Sequence, residues 1–238
     1  NNQSGLEKTI HSVSGQSFED FEFIVVDGAS VDGSIEILKA QNNRIDHWIS
    51  EPDKGIYHAM NKGIRMAKGE YCLFLNSGDW LADEQVLSKV FESKTEADII
   101  SGDIAYYDTI KENVKWWVIS PDIISAKTFF EGSLPHQATF IKRELFDKYG
   151  CYNENLKIAS DWLFFAETLL EHHCTYQHYK GLISYFNMDG ISCRNDPEST
   201  QYDEKAELLR QKYPCFIADY NRLKELEEKK KSWENSRE

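Results

Sequence analysis

The chain has 238 residues, 41% of them hydrophobic and 13% aromatic, enough for one large domain or two intimate lobes around a real core. Its 40 acidic and 27 basic side chains leave a net charge of −13 at pH 7, which argues against nucleic acid as the main partner; an anionic substrate would be helped by a bound cation. Five cysteines, odd in number and without a Cys-x-x-Cys pair, form neither a disulfide framework nor a zinc cluster and suit a reducing, cytoplasmic setting. No apolar stretch approaches the roughly 18 residues of a spanning helix, and no signal peptide is visible. The start at Asn1-Asn2, without a methionine, leaves room for residues upstream.

Leu6, Ile10 and Val13 fall on one helical face. Phe21 to Val26 reads as a strand ending at Asp27-Gly28, and Ile35, Ile37 and Leu38 predict a helix after Asp32-Gly33-Ser34. Residues 56–67 predict another helix, stopped by Gly69. Tyr71-Cys72-Leu73-Phe74-Leu75 is an apolar run of a fully buried strand, ending in the turn Asn76-Ser77-Gly78-Asp79. Residues 98–103 suggest one more strand, and alternating strands and helices predict an α/β sheet, mostly parallel in this half. Beyond residue 104 the texture changes. Trp116-Trp117-Val118-Ile119 reads as a short aromatic strand, residues 159–170 as a helix, and the segment after Pro214 as an amphipathic helix through Phe216, Ile217, Tyr220, Leu223 and Leu226. Its Lys229-Lys230-Lys231 suits a helix dipole or an anionic lipid surface. Residues 201–238 hold nine basic and nine acidic side chains, so the excess of −13 lies in residues 1–200.

Acidic side chains recur where strands end or helices begin. Asp27 ends one strand and Asp32 follows in its loop; Asp53 and Lys54 sit in a loop leading to a helix; Asp79 ends the next strand; Asp161 opens a later helix. Ligands of open α/β sheets gather at the carboxyl ends of the strands. A carboxylate and an amide in the 76–79 turn suit a hard cation such as Mg²⁺ or Mn²⁺.

In these segments the sequence resembles the family two glycosyltransferases, with their GT-A nucleotide-sugar fold. The run from Val25 to Ser34 looks like that family's strand-end "VVD-x-x-S-x-DGS". Asn61-Lys62-Gly63 with Ala67-Lys68-Gly69-Glu70-Tyr71 is similar to the "N-x-G…A-x-GEY" run that leads into its metal motif, and Ser160-Asp161 falls where the family carries its "ED" base. The likeness covers roughly residues 1 to 195. It implies a mixed, mostly parallel GT-A sheet flanked by helices, with a C-terminal helical extension. It also implies inverting transfer from a nucleotide-diphospho-sugar with a divalent cation.

The family's first strand is represented only by Asn1, so the aromatic residue that stacks on the base would lie upstream. Asn76 and Gly78 stand where the metal motif has its two carboxylates, leaving Asp79 as the only acid; Gly28 stands where a second Asp follows Val26. Without a Gln-x-x-Arg-Trp signature, one transfer per encounter is expected.

The resemblance then implies roles. Asp27 would bond the base or ribose. Asn1, Lys54, Asn61 and Asn76 join it as donor-binding residues. Asp32 is a helix cap or a ligand, and Asp53 a nucleotide contact or a turn. Asp79 would hold the cation and Asp161 would take the acceptor proton, with a helix cap as its plain alternative. His136 and Gln137 would touch phosphate or acceptor, or His136 is simply a buried, hydrogen-bonded histidine. Arg194, near Gly190-Ile191-Ser192, would fold over the diphosphate or belong to an ordinary surface loop. Residues 1–103 form the expected donor and metal half, 104–200 the acceptor and catalytic half, and 201–238 the helix and polar tail. The expected acceptor is a surface glycan or lipid-linked oligosaccharide, with the protein in the cytoplasm or at the inner membrane face. A sugar nucleotidyltransferase and a non-catalytic nucleotide- or glycan-binding module are the rival readings.

Overall fold

A computed structural model gives the fold and describes residues 1–92, 94–188 and 200–235. The chain opens with α1 (Gln3–Ser14), whose Leu6, Ile10 and Val13 are buried on one face. It continues through β1 (Ile24–Asp27), α2 (Ser34–Ala40), β2 (His47–Ser50) and α3 (Ile56–Met66). β1 and β2 pair in parallel, with Asp27 opposite Ser50. Leu6, Ile10, Leu38 and Ile45 form the small core beneath them.

The larger sheet begins with β3 (Tyr71–Cys72) and β4 (Trp80–Leu81), followed by α4 (Val86–Phe91). Next come β5 (Ile99–Asp108), β6 (Asn113–Val118), α5 (Ala126–Glu131), β7 (Thr139–Lys142), α6 (Glu144–Tyr149) and α7 (Ser160–Ala166). A single π turn prolongs α7 before β8 (Tyr176–Asn187). The chain closes with α8 (Thr200–Lys212) and α9 (Pro214–Asn235). The strand order is β3-β7-β5-β8-β4, with β6 paired to β5. β5 is the axis of this sheet: Ile99, Ile100, Ile104 and Ala105 are buried, the pattern of a strand covered on both faces. Gly102 lets β8 approach it, because a Cβ there would collide with the Ile183 side chain.

The fold is α/β, with a mixed sheet and a C-terminal helical segment. The sheet pairing is mixed: β1–β2 and β5–β8 run parallel, while β3–β7, β4–β8, β5–β6 and β5–β7 are antiparallel. The reason is that β3, β4 and β5 find their partners in the second half of the chain, and strands joined by no crossover helix are free to run either way. Of the predicted strand 71–75, only Tyr71 and Cys72 make ladder pairs, with Lys142 and Ile141. Because β3 lies beside β7, the end of the first strand is brought next to the short 3₁₀ turn His136–Ala138 that enters β7.

Candidate active site

The turn after β3 is clamped to the start of α1. Asn76 carbonyl accepts from Asp79 N–H (2.9 Å), and Gly78 adopts φ +109°, a left-handed conformation that glycine takes without strain. Asn2 caps α1 by accepting from Gly5 N–H, and its amide donates to the Ser77 carbonyl (2.7 Å). Thr9, buried one turn further on, accepts from Gly78 N–H (2.9 Å) and donates to the Asp79 carbonyl (2.7 Å). The turn is thus held by a helix rather than left as a free loop.

Asp79 points inward. It is 2% exposed; Oδ1 accepts from Asn187 N–H at the end of β8 (2.9 Å), while Oδ2 is buried without a hydrogen bond. Burial pushes its carboxyl up to about 6, against the opposing pull of Asn187 N–H, His136 and Gln137. A buried carboxylate with one idle oxygen is a costly arrangement in the ionised form.

Next to this turn lies a second carboxylate with fuller support. His136 Nδ1 is 2.8 Å from Asp161 Oδ2, and His136 Nε2 is 3.2 Å from the Asn76 amide nitrogen. Where that amide donates, Nε2 accepts and the Nδ1 proton is directed at Asp161. Asp161 Oδ1 accepts from Trp162 N–H (2.8 Å) and from the Tyr57 hydroxyl (2.9 Å), which also lies 2.5 Å from the Ile158 carbonyl. Burial works to raise the Asp161 pKa, yet His136, Trp162 N–H and Tyr57 together hold it below the ordinary carboxylate range. Asp161 is therefore ionised at neutral pH. Burial and the Asp161 charge push the Tyr57 hydroxyl far up, so Tyr57 stays a donor. The side chains of His136 and Asp161 are 15% and 14% exposed, sheltered but within reach of a substrate.

A third group sits at the carboxyl ends of β1 and β2. Asp27 Oδ2 accepts from Ser30 N–H (2.9 Å) and Ser50 Oγ (2.7 Å). Burial would raise its pKa, but the Ser30 and Ser50 bonds lower it. Asp53 Oδ1 accepts from Gly55 N–H (2.9 Å) at the start of α3. Its Oδ2 fills the space beside Gly28, where any Cβ would collide with it, so the glycine that stands in place of a second Asp is what lets the Asp53 loop close over β1. The Asn1 amine donates to Ser30 Oγ and its side-chain oxygen accepts from Val31 N–H. The first two residues therefore tie the β1 loop to the 76–79 turn.

Other expected ligands make structural hydrogen bonds. Asp32 Oδ1 accepts from Ser34 N–H and Oγ, and Oδ2 from Gln3 N–H, so it caps α2 and secures the start of α1. Lys54 contributes a backbone N–H to His58 Nδ1. Asn61 needs a larger correction. It is 2% exposed; its amide donates to the Tyr152 carbonyl and Glu154, and its oxygen accepts from Tyr152 N–H. All of its bonding goes to the 152–154 segment, leaving none for a donor. Asn61→Ala should thus lower stability by roughly 2–4 kcal/mol, since buried partners lose their bonds, while the donor KM of the folded fraction stays near wild type. Chemical denaturation and initial-rate kinetics check this. Arg194 lies outside the described residues.

Among the described residues no group of three His, Cys, Asp or Glu side chains can hold a metal ion. The donor set that does exist is Asp79 with its unpartnered Oδ2, beside Asn76. One carboxylate is what Mg²⁺-type cations commonly take from a protein when phosphates and water fill the remaining positions, so these residues fit a cation carried with a diphosphate.

With this geometry in place, comparison with known proteins defines the class. The family model of Glycosyl transferase family 2 matches residues 1–157, and the chain belongs to that family. It is 30% identical over 165 residues to a PGL/p-HBAD biosynthesis glycosyltransferase of Mycobacterium bovis, a match spanning 67% of this chain and 62% of the relative. It is 29% identical over 218 residues to an uncharacterised glycosyltransferase of Mycobacterium tuberculosis, spanning 90% of this chain and 82% of that one. The chain thus spans under two thirds of the first of these relatives. Two solved structures share its fold. S. aureus TarS 1-349 in complex with UDP-GlcNAc has TM-score 0.63 and 18% identity, covering 87% of this chain and 62% of that one. The Pyrobaculum calidifontis mannosyltransferase PcManGT in complex with GDP-Man and Mn²⁺ has TM-score 0.55 and 15% identity, covering 78% and 54%.

Sequence patterning missed four residues that build the site. Tyr57 reads as one more apolar position on α3, and Thr9 as a polar interruption of α1. Asn2 carries a legible cap signal, being an Asn just before an apolar helical face. Asn187 closes a strand that has no clear alternation.

Proposed function

We propose that this chain transfers a sugar from a nucleotide-diphospho-sugar to an acceptor hydroxyl, with inversion and with the help of a divalent cation. The observation that carries the reading is the chain of contacts Asn76–His136–Asp161, which couples an ionised carboxylate to the turn at the end of β3, in a chain of a glycosyltransferase family. The donor half is residues 1–103 and the acceptor half 104–200 of the same domain, sharing β5 across their boundary.

Asp161 is the base. Its Oδ1 is saturated by Tyr57 and Trp162 N–H, which fix the carboxylate plane. Its Oδ2 holds one bond, to His136, and a carboxylate oxygen accepts more than one, so Oδ2 receives the acceptor proton with the imidazole still in place. A positioned base of this kind is worth about 10²–10⁴-fold in rate. Asp27 and Asp53 flank the nucleoside, with Asn1 held to the β1 loop and Asn2 to the 76–79 turn, and Gln137 stands beside Asp79. Asp79 and Asn76 would hold the Mn²⁺ or Mg²⁺, which when bound supplies Lewis-acid stabilisation of the departing diphosphate.

The acceptor in this reading is a surface glycan or lipid-linked oligosaccharide, met in the cytoplasm or at the inner membrane face. Among the described residues no helix is long and apolar enough to cross a membrane. The test is a thermal-shift screen of UDP-, GDP- and dTDP-sugars with Mn²⁺, since a ligand that binds the folded state raises its Tm. One donor class should raise Tm only with the cation present, and its product should carry the opposite anomeric configuration. No response to any donor would defeat the reading, and a retained configuration would defeat single displacement.

A further inference from the structure

α9 carries a half-exposed apolar stripe. Its inner face is accounted for: Tyr220 packs on Phe130 of α5 (4.8 Å between ring centroids), and Glu227 pairs with Lys127 (2.5 Å). Phe216, Leu223, Leu226 and Trp233 lie on the adjoining face and are 43% to 56% exposed. They fall at heptad spacing, Phe216 and Leu223 seven apart, Leu226 and Trp233 seven apart. Asp219 and Lys230 complete the two rows, both exposed. A seven-residue apolar repeat of this kind is the seam of a helix pair.

We propose that this stripe binds the same stripe of a second copy of the chain, with the two α9 helices antiparallel. Only the antiparallel order makes the stripe complementary to itself. Laid about its midpoint between residues 224 and 225, Leu223 meets Leu226 of the second copy, Asp219 meets Lys230, and Phe216 meets Trp233. Each row position of one kind faces the other kind, as antiparallel seams require. The two-fold axis repeats every layer, so the pair gains four apolar layers and two ion pairs. In a parallel pair Asp219 would face Asp219 and Lys230 would face Lys230, two repulsive layers. Among the described residues Lys230 pairs with Glu234, at 3.8 Å, a contact easily exchanged. Arg222 and Lys229 share one flank of the seam, and Arg222 is already neutralised by Glu225 at 3.0 Å. A 22-residue helix is about 33 Å long, so the interface lies at the small end of stable ones and the association is reversible.

Sedimentation velocity over a range of concentrations tests this on the intact protein. The wild type should show a reversible monomer–dimer equilibrium. Asp219→Lys and Lys230→Asp, each placing like charges across two layers, should each raise the dissociation constant by about tenfold or more. The double variant carrying both changes should restore it. Both positions of change are exposed, so circular dichroism and Tm of all three variants should match the wild type. A monomer at every concentration overturns the proposal, as do single swaps that leave the dimer intact. So does a monomer that floats with phosphatidylglycerol vesicles, which would assign the stripe and Lys229–Lys231 to an anionic lipid surface.

Discussion

Replacing Asp161 by Asn should lower turnover by about 10²-fold or more while donor affinity and Tm change little. Asn keeps the volume and can still accept from Tyr57 and Trp162 N–H through its oxygen. What it loses is the proton acceptor facing His136. An amide there presents N–H to His136 Nδ1, so the imidazole must move its proton to Nε2 and give up the tautomer that Asn76 supports. The same variant separates a base from a helix cap, because Asn caps about as well as Asp. Near-normal turnover would leave Asp161 as a structural residue only. Tyr57→Phe supplies a graded companion. Removing one of the bonds that hold the Asp161 pKa down should move the acid limb of the rate profile to higher pH and leave the protein active. An unmoved profile would show that Tyr57 does not act through Asp161.

Asp79 should reveal itself first through stability. Its pKa in the fold is about 6 against an ordinary value of 3.8, so the fold favours the protonated form. For a raised pKa the contribution is fully present below about pH 4 and is lost as pH rises through 6. In the absence of metal the wild type should therefore lose on the order of 3 kcal/mol relative to Asp79→Asn between pH 4 and pH 7. Parallel denaturation of the two proteins across that window checks the sign and size; equal slopes would place the carboxylate in a wetter setting. Binding gives the second readout. If Asp79 Oδ2 is the protein's ligand to a cation, Asp79→Ala should abolish Mn²⁺-dependent donor binding in calorimetric titration. Asn76→Asp, which adds an anionic ligand to the same turn, should tighten it. Unchanged Mn²⁺-dependent binding in Asp79→Ala would reject the assignment.

Much of the fold is legible because its signals are local. The spacing of Leu6, Ile10 and Val13 states which face of α1 is buried. The run from residue 71 announces a strand, though only Tyr71 and Cys72 make ladder pairs, and Ser160-Asp161 states where a helix starts. The strands that escape notice are β2, β4, β7 and β8, and β2 and β8 show why. β2 is four residues long and β8 starts as Tyr176-Gln177-His178-Tyr179-Lys180 with a glycine following, so neither shows a period that separates a strand from a loop. Both are made strands by their neighbours, β2 by β1 and β8 by β5 and β4.

The same division runs through the site. Residue type and local context by themselves placed Asp27, Asp53, Asp79 and Asp161 near strand ends or helix starts, and the motifs around them carried the resemblance to the family two glycosyltransferases. Which of them act together was decided only in three dimensions. His136 and Asp161 are 25 residues apart, Asn76 and His136 are 60 apart, and Tyr57 and Asp161 are 104 apart. Tertiary structure also turned Asn61 into a structural pin and Asp32 into a cap, by surrounding them with backbone groups that use their hydrogen bonds. The physical reason is that periodicity and turn chemistry report a residue's own few neighbours, whereas sheet order chooses which distant segments meet. Once β3 lies beside β7, the strand-end amide and the histidine must face each other, and the carboxylate at the start of α7 completes the chain.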